Sequence, residues 1–240
     1  MPTLNWIGKE KVVSHHLDVP YRVLTHKYGF KDGKQIKEET GSGNMIIHGD
    51  NLEALKALLP RYEGKVKFIY IDPPYNTGNN DWIYSDNVND PKIKKWLHKT
   101  IGKENDDLTR HDKWLCMMYP RLRLLHKLLA EDGVIFVSIN FIHEYSNLRF
   151  IMDEIFGKTN YVGEITWEST TQPINSGSAR FGLQQKVEPI MFYLKNKRIN
   201  TGFKLEEIES SLKYPHNGKL GKCRFEIIEK SDAVVINEIQ

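Results

Sequence analysis

Apolar positions along this 240-residue chain change period several times, and each change predicts an element. Residues 1–43 are polar and poorly periodic. Asp18-Val19-Pro20 and Lys31-Asp32-Gly33-Lys34 are turn signals, so the segment reads as an N-terminal arm with a short strand or helix of its own. Gly41-Ser42-Gly43 then forms a hinge. Met45-Ile46-Ile47-His48 predicts a short strand. Asp50 marks the entry to a helix in which Leu52, Leu55, Leu58 and Leu59 recur at helical spacing until Pro60 stops it. Val66–Ile71 is a nearly continuous apolar run of the kind buried on both faces of a parallel sheet, and it ends abruptly at Asp72-Pro73-Pro74.

Residues 76–112 hold little periodicity beyond a short helix at Lys92–Lys99, and loops of that length inside a compact domain are usually functional or mobile. Lys113–Leu129 predicts an amphipathic helix with Pro120 inside it. Asp132-Gly133 turns into the strand Val134–Ile139, and Glu144–Phe156 forms a further helix ending at Gly157. This alternation of strands and helices predicts an α/β fold built on a doubly wound sheet, with helices on both faces. Past Asn160 the texture changes to a strand at Val162–Trp167, a polar loop at Glu168–Phe181 and a strand at Val187–Leu194. Charged turns with the β-like runs Phe225–Ile228 and Ala233–Ile236 follow. The chain thus divides into an arm (1–43), a core (44–160) and a last part (161–240) that supplies the final core strands.

Composition narrows the class less than pattern does. A net charge of +3 and a pI near 8.6 favour a polyanionic partner only weakly. The basic residues do gather in two segments, Arg110–Lys127 and Lys186–Lys204, where a solvated face is the alternative to a nucleic-acid surface. The longest apolar runs, such as Val134–Ile139, are too short to span a bilayer, and Met1–Lys9 lacks the pattern of a secretory signal. Cys116 and Cys223 stand far apart, which suits buried thiols in a reducing cytoplasm, and no histidine falls into a metal-ligand spacing.

The densest chemistry is Asp72-Pro73-Pro74-Tyr75. It follows directly on a buried strand, and ligands of open α/β sheets bind beyond the carboxyl ends of the strands. Two prolines hold the backbone extended and remove two amide donors, leaving the Pro73 carbonyl as a rigid acceptor beside the Asp72 carboxylate. Two acceptors and the flat ring of Tyr75 suit an exocyclic amino group on a base. That nitrogen attacks poorly while its lone pair is delocalised, and accepting both its N–H bonds favours a pyramidal nitrogen with a localised pair. Extruding the base from a duplex costs on the order of a few kcal/mol, and stacking on an aromatic ring returns about 1–3 kcal/mol. The plain alternative is a strand-ending turn in which Asp72 is a local cap.

The surroundings add to this. His48-Gly49-Asp50-Asn51-Leu52-Glu53-Ala54-Leu55 and Val66 through Gly78, taken together, resemble the bacterial DNA adenine-N6 methyltransferases, and most of all the modification subunits of type III restriction systems. Asp132 through Ile139, Met152 through Gly157 and Glu164-Ile165-Thr166-Trp167 match as well, so the resemblance spans about residues 45–200. It implies a Rossmann-like fold, S-adenosylmethionine as methyl donor, and adenine in double-stranded DNA as acceptor, with in-line transfer and neither a metal nor a covalent enzyme intermediate. It also implies a restriction subunit as partner and a second methylase subunit in a homodimer. Asp72, Pro73, Pro74 and Tyr75 would be catalytic. Asp50, Asp72, Asn76, Thr77 and Gly78 would line the cofactor site, although Asp50 also reads as the N-cap of the helix that follows it and the last three also read as plain loop residues. The last part of the chain would begin the target-recognition region, with Arg180 in its polar loop. Trp82, Tyr84, Trp96 and Trp114, around the long loop, would stack on bases or anchor the loop.

Two departures from the family stand out. Asn140 and Phe141 occupy the place of an acidic pair, and no Phe-x-Gly-x-Gly turn for the cofactor is found. The chain therefore reads as incomplete at its C-terminal side: the front of a longer enzyme, a split subunit, or a remnant that binds nucleic acid without catalysis. Cytosine-N4 methylation poses the same chemical problem, but those enzymes more often carry Ser where Asp72 stands.

Overall fold

The computed structural model describes residues 3–76, 91–101, 109–169, 186–199, 216–218, 221–230 and 234–239. They fall into two compact units, residues 1–200 and 201–240. The first unit opens with two single-turn helices, α1 (Lys9–Val12) and α2 (His15–Asp18), and a hairpin of β1 (Gly29–Lys31) and β2 (Lys34–Ile36). Positive φ at both Asp32 (52°) and Gly33 (74°) makes the two-residue turn whose twist suits an antiparallel hairpin. Then come α3 (Asn51–Tyr62), β3 (Val66–Ile71), α4 (Pro91–Ile101), α5 (Arg110–Leu128), β4 (Leu129–Ser138), α6 (Tyr145–Met152), β5 (Tyr161–Glu168) and β6 (Val187–Leu194). The second unit is an antiparallel meander of β7 (His216–Gly218), β8 (Gly221–Lys230) and β9 (Val234–Ile239).

Four strands of the first unit form one mixed sheet in the order β3-β4-β6-β5. β3 runs parallel to β4, whereas β6 is antiparallel to both β4 and β5. Strand alternation sorts the side chains onto two faces. Ile69, Ile135, Val137, Ile139, Met191 and Tyr193 point into the main core, where they meet residues of α1, α4, α5 and α6. The opposite face carries Phe68, Tyr70, Phe136, Phe192, Ile165 and Trp167 by register. There Phe136 stacks on Phe192 with ring centroids 4.3 Å apart, while Phe68 (60%) and Tyr70 (53%) remain exposed. The expected α/β layering is observed, but the described helices all lie on one side of the sheet.

Helix α5 is the centre of this layer. A capping box between Thr109 and Asp112 starts it, and its apolar residues from Trp114 to Leu128 are buried on every side. Trp114–Pro120 form an unbroken buried run, which needs cover on every side, and α5 packs against α1, α2, α3, α4 and α6 as well as the sheet. The first half of the N-terminal arm belongs to this wrapping, since Trp6, Val12 and Val19 are core residues.

Some expected boundaries move. Residues 45–48 pair with no strand among the described residues, and Met45 and Ile46 are exposed. Three apolar residues between Gly43 and Gly49 cannot hold a strand without a neighbouring ladder. The helix of Leu52–Leu59 does not stop at Pro60 but runs on to Tyr62; Gly64, at φ 66°, ends it and donates its amide to Lys127 O. Beyond α6 the helix widens into a π-turn at Asp153–Gly157, which closes at Gly157 with φ 88°.

Two histidines are held neutral by this packing. His16 is buried beneath Arg123, Lys127 and Lys56, and its pKa falls to about 4, through burial first and those charges second. His126, edge-on to Phe156 and beside Lys195, also falls to about 4, again mainly through burial. Each takes up a proton near pH 6.5 once the chain unfolds, so the unfolded state gains protons first and stability drops as pH falls from about 6.5 towards 4. The urea midpoint is expected to fall between pH 7 and pH 4.5, with a clearly shallower fall in the His16→Gln/His126→Gln protein. Equal slopes for the two proteins would contradict this assignment.

Candidate active site

Helix α3, about 18 Å long, descends beside the sheet, and β3, about 20 Å long, climbs back. Asp50 and Asp72 thus stand towards the same end of the sheet, the carboxyl end of β3 and β4. Asp72 continues the alternation of Phe68 and Tyr70, which puts its exposed carboxylate on the open face. Pro73, next in line, is buried. The Pro74 carbonyl accepts a 2.6 Å hydrogen bond from the Trp114 indole Nε1. Of the two proline carbonyls, α5 therefore takes the second.

Tyr75 lies half-buried against the main core and gives its hydroxyl hydrogen to the Asp72 carboxylate. Burial, then that bond and the charge of Asp72, push its phenol pKa well above the ordinary value. Glu188 on β6 shares the parity of Ile190 and Phe192 and so faces the same side as Asp72. Burial, then the negative charge of Asp72, raise its carboxyl pKa. The Tyr70 hydroxyl meets Ser138 Oγ at 2.7 Å. This end of the open face therefore offers the Asp72 and Glu188 carboxylates, the Tyr70 ring and the Ser138 hydroxyl, with the Tyr75 hydroxyl bonded to Asp72 from the core side. That set accepts hydrogen bonds from an amino group and stacks on a flat ring.

Asp50 caps α3: its Oδ1 accepts from Leu52 N (2.9 Å) and Glu53 N (3.1 Å). The cap uses one carboxylate oxygen and leaves the other for a second acceptor role. Asn76, expected to line the cleft, has its side chain turned inward. It is 1% exposed, sits at φ 59°, and donates to Glu144 Oε1 and to the Arg110 carbonyl. Thr77, Gly78, Trp82, Tyr84 and Arg180 lie outside the described residues.

Sequence pattern does not single out Glu188, Glu144 or His111 as site residues, and it sets Trp114 only beside the long loop. Helical spacing alone does not show which groups a buried helix faces. Glu188 belongs to the site because β6 neighbours β4, which no local pattern carries. The basic segments are brought together in part. His126 meets Lys195, Lys197 and Arg198 around an open cleft of about 590 Å³ at the amino end of β4, the far end of the sheet from Asp72.

The bond from Trp114 satisfies a carbonyl that the prolines left without a ladder partner. Trp114→Phe keeps an apolar ring but removes the donor, so it is expected to destabilise the protein by about 1–3 kcal/mol. Chemical denaturation measures this directly; a change below about 0.5 kcal/mol would show that water replaces the indole at no cost.

The sequence has clear relatives. It is 37% identical over 207 residues to the type III restriction-modification enzyme EcoP15I Mod subunit of Escherichia coli, covering 81% of this chain and 30% of that protein. It is 36% identical over 209 residues to the EcoPI Mod subunit of Escherichia phage P1, covering 82% and 31%. The chain thus spans about a third of the length of these curated relatives. Among solved structures it is similar to the complex of M1.HpyAVI with SAM, at 16% identity and a TM-score of 0.36 over 67% of this chain and 60% of that one, a likeness too distant to add to the argument. A family model described as DNA methylase matches residues 66–222, which include β3, the Asp72–Tyr75 turn and every other strand of the main sheet, and the chain accordingly belongs to the DNA methylase family.

Proposed function

We propose that this chain carries the catalytic centre of a DNA adenine-N6 methyltransferase that acts as the modification component of a restriction system. The supporting observation is the exposed Asp72 carboxylate at the carboxyl end of β3, in a turn whose next carbonyl but one is tied down by Trp114. Family membership and the Mod subunits to which the chain is similar support the same reading. A carboxylate at position 72, rather than a hydroxyl, favours adenine over cytosine. Double-stranded DNA is the proposed substrate, with a restriction subunit and a second methylase copy as partners in the cytoplasm.

The chemistry asked of the residues is modest in number and strict in placement. The Asp72 carboxylate and the Pro73 carbonyl accept the two N–H bonds of the flipped base and draw its nitrogen pyramidal. Tyr75 has two tasks: its ring supports the base, and its hydroxyl orients the Asp72 carboxylate before the base arrives. Bound S-adenosylmethionine supplies a methyl group on a positively charged sulfur, and Asp50, with one carboxylate oxygen outside the helix cap, fits its adenosyl part. An amino nitrogen that gains a methyl group would shed one proton, and Asp72 is placed to take it and pass it to water.

Asp72→Ala in methylation-competent protein is expected to cut turnover by at least about 10²-fold, equivalent to roughly 2.7 kcal/mol of barrier. Folding and DNA binding should survive. Methyl incorporation into duplex DNA gives the measurement, and full activity in the variant would overturn the mechanism.

Tyr75→Phe keeps the ring and loses the hydroxyl, whereas Tyr75→Ala loses about 1–3 kcal/mol of base contact as well. With 2-aminopurine at the target position, quenching of the flipped base should persist in the Phe protein and vanish in the Ala protein. Identical fluorescence in the two would exclude stacking.

A further inference from the structure

We infer that Glu144 is a positioning residue for the Asp72–Asn76 turn, acting through Asn76. The inference rests on the methyltransferase reading for its kinetic consequence, but not for its structural one. Glu144 is 0% exposed and sits just ahead of α6, whose first turn it begins through the bond from Leu148 N to its carbonyl. Carboxylates are almost never buried this completely without partners, and this one binds two distant segments as well as its own helix. Its Oε1 accepts from Asn76 Nδ2 at the end of the turn and meets His111 Nδ1, in the first turn of α5, at 2.7 Å. Its Oε2 accepts from Asn147 Nδ2 at 2.8 Å.

Asn76 is the point where such a tie has leverage. Its backbone is left-handed (φ 59°) directly after Tyr75, and its buried amide also donates to Arg110 O at 3.3 Å. Asparagine is among the few non-glycine residues that adopt this conformation readily, and the bonds to its side chain hold it there. Two residues earlier, Trp114 holds the Pro74 carbonyl. The turn is therefore pinned from the helix side at Pro74 and at Asn76, and these ties fix the placement of the exposed Asp72 and the half-buried Tyr75 beside them. Glu144 touches neither base nor donor in this arrangement. It sets the angle at which the turn presents them.

The test compares Glu144→Gln, Glu144→Ala and the exchanged pair Asn76→Asp/Glu144→Gln in otherwise intact protein. The exchange restores a donor–acceptor pair with its polarity reversed, and aspartate tolerates the left-handed backbone. Losing a hydrogen bond to a charged partner predicts a fall in kcat of about tenfold to a hundredfold in the single variants. KM for DNA should stay within about threefold, and the exchanged pair should recover part of the loss. A readout independent of activity is the exchange of the Trp114 indole N–H, followed by NMR. Glu144→Gln should speed it at least about tenfold, with the thermal midpoint moved by no more than a few degrees. Unchanged indole exchange, or kcat falling only in step with the folded fraction, would overturn the inference and leave Glu144 a structural group. If the wild-type protein methylates no DNA, the functional reading falls, and indole exchange still decides whether Glu144 clamps the turn.

Discussion

Helix α5 is buried all round along Trp114–Pro120, while its charged residues gather at Arg110–Lys113 and Arg121–Lys127, and the rest of the first unit arranges itself to cover that buried stretch. The sheet takes one side; α3 and α6 take the flanks; α1, α2 and the buried part of the arm close the rest. Burial of this helix also decides the placement of the turn after β3. Trp114 is fully buried in the first part of α5, and its single N–H is satisfied by the Pro74 carbonyl. An indole donor left unpaired in a core, and a carbonyl left unpaired by two prolines, are each unfavourable; together they cancel. One hydrogen bond thus links the packing of the core to the geometry of the site.

The two faces of the sheet have different characters for the same reason. One is filled by α5 and its neighbours. The other keeps Phe68, Tyr70, Ile165 and Trp167 exposed, and Asp72 and Glu188 belong to it by strand alternation. Under the proposed reading this is the side from which a flipped base reaches the turn. Its aromatic surface then continues away from the carboxylates along the strands. The raised pKa of Glu188 reflects how close two acidic groups lie at this end, with burial as the first cause and Asp72 as the second.

Much of this is legible in the amino-acid sequence. β3 and the chemistry of Asp72-Pro73-Pro74-Tyr75 follow from a buried apolar run that ends in two prolines, because a proline pair cannot continue a ladder and so exposes acceptors at a strand's end. The helix of Asn51–Tyr62 with Asp50 as its cap, the Asp32-Gly33 hairpin turn, and the strands Val187–Leu194 and Val66–Ile71 depend on interactions within a few residues of sequence, and local pattern suffices for those.

What the tertiary structure decided is what depends on distant partners. Residues 45–48 have strand composition but, among the described residues, no ladder beside them, and they form no strand. Asn76 reads as a cleft residue next to the motif, yet its amide is turned inward by Glu144, 68 positions away. Trp114 and Glu188 reach the site through helix–sheet packing and strand order, at separations of 40 residues for the Trp114–Pro74 bond and more for Glu188. The sequence determined which groups could do chemistry, because residue type and local backbone set that. It left open which of them face one another, because burial, sheet order and the satisfaction of buried polar groups are properties of the whole fold.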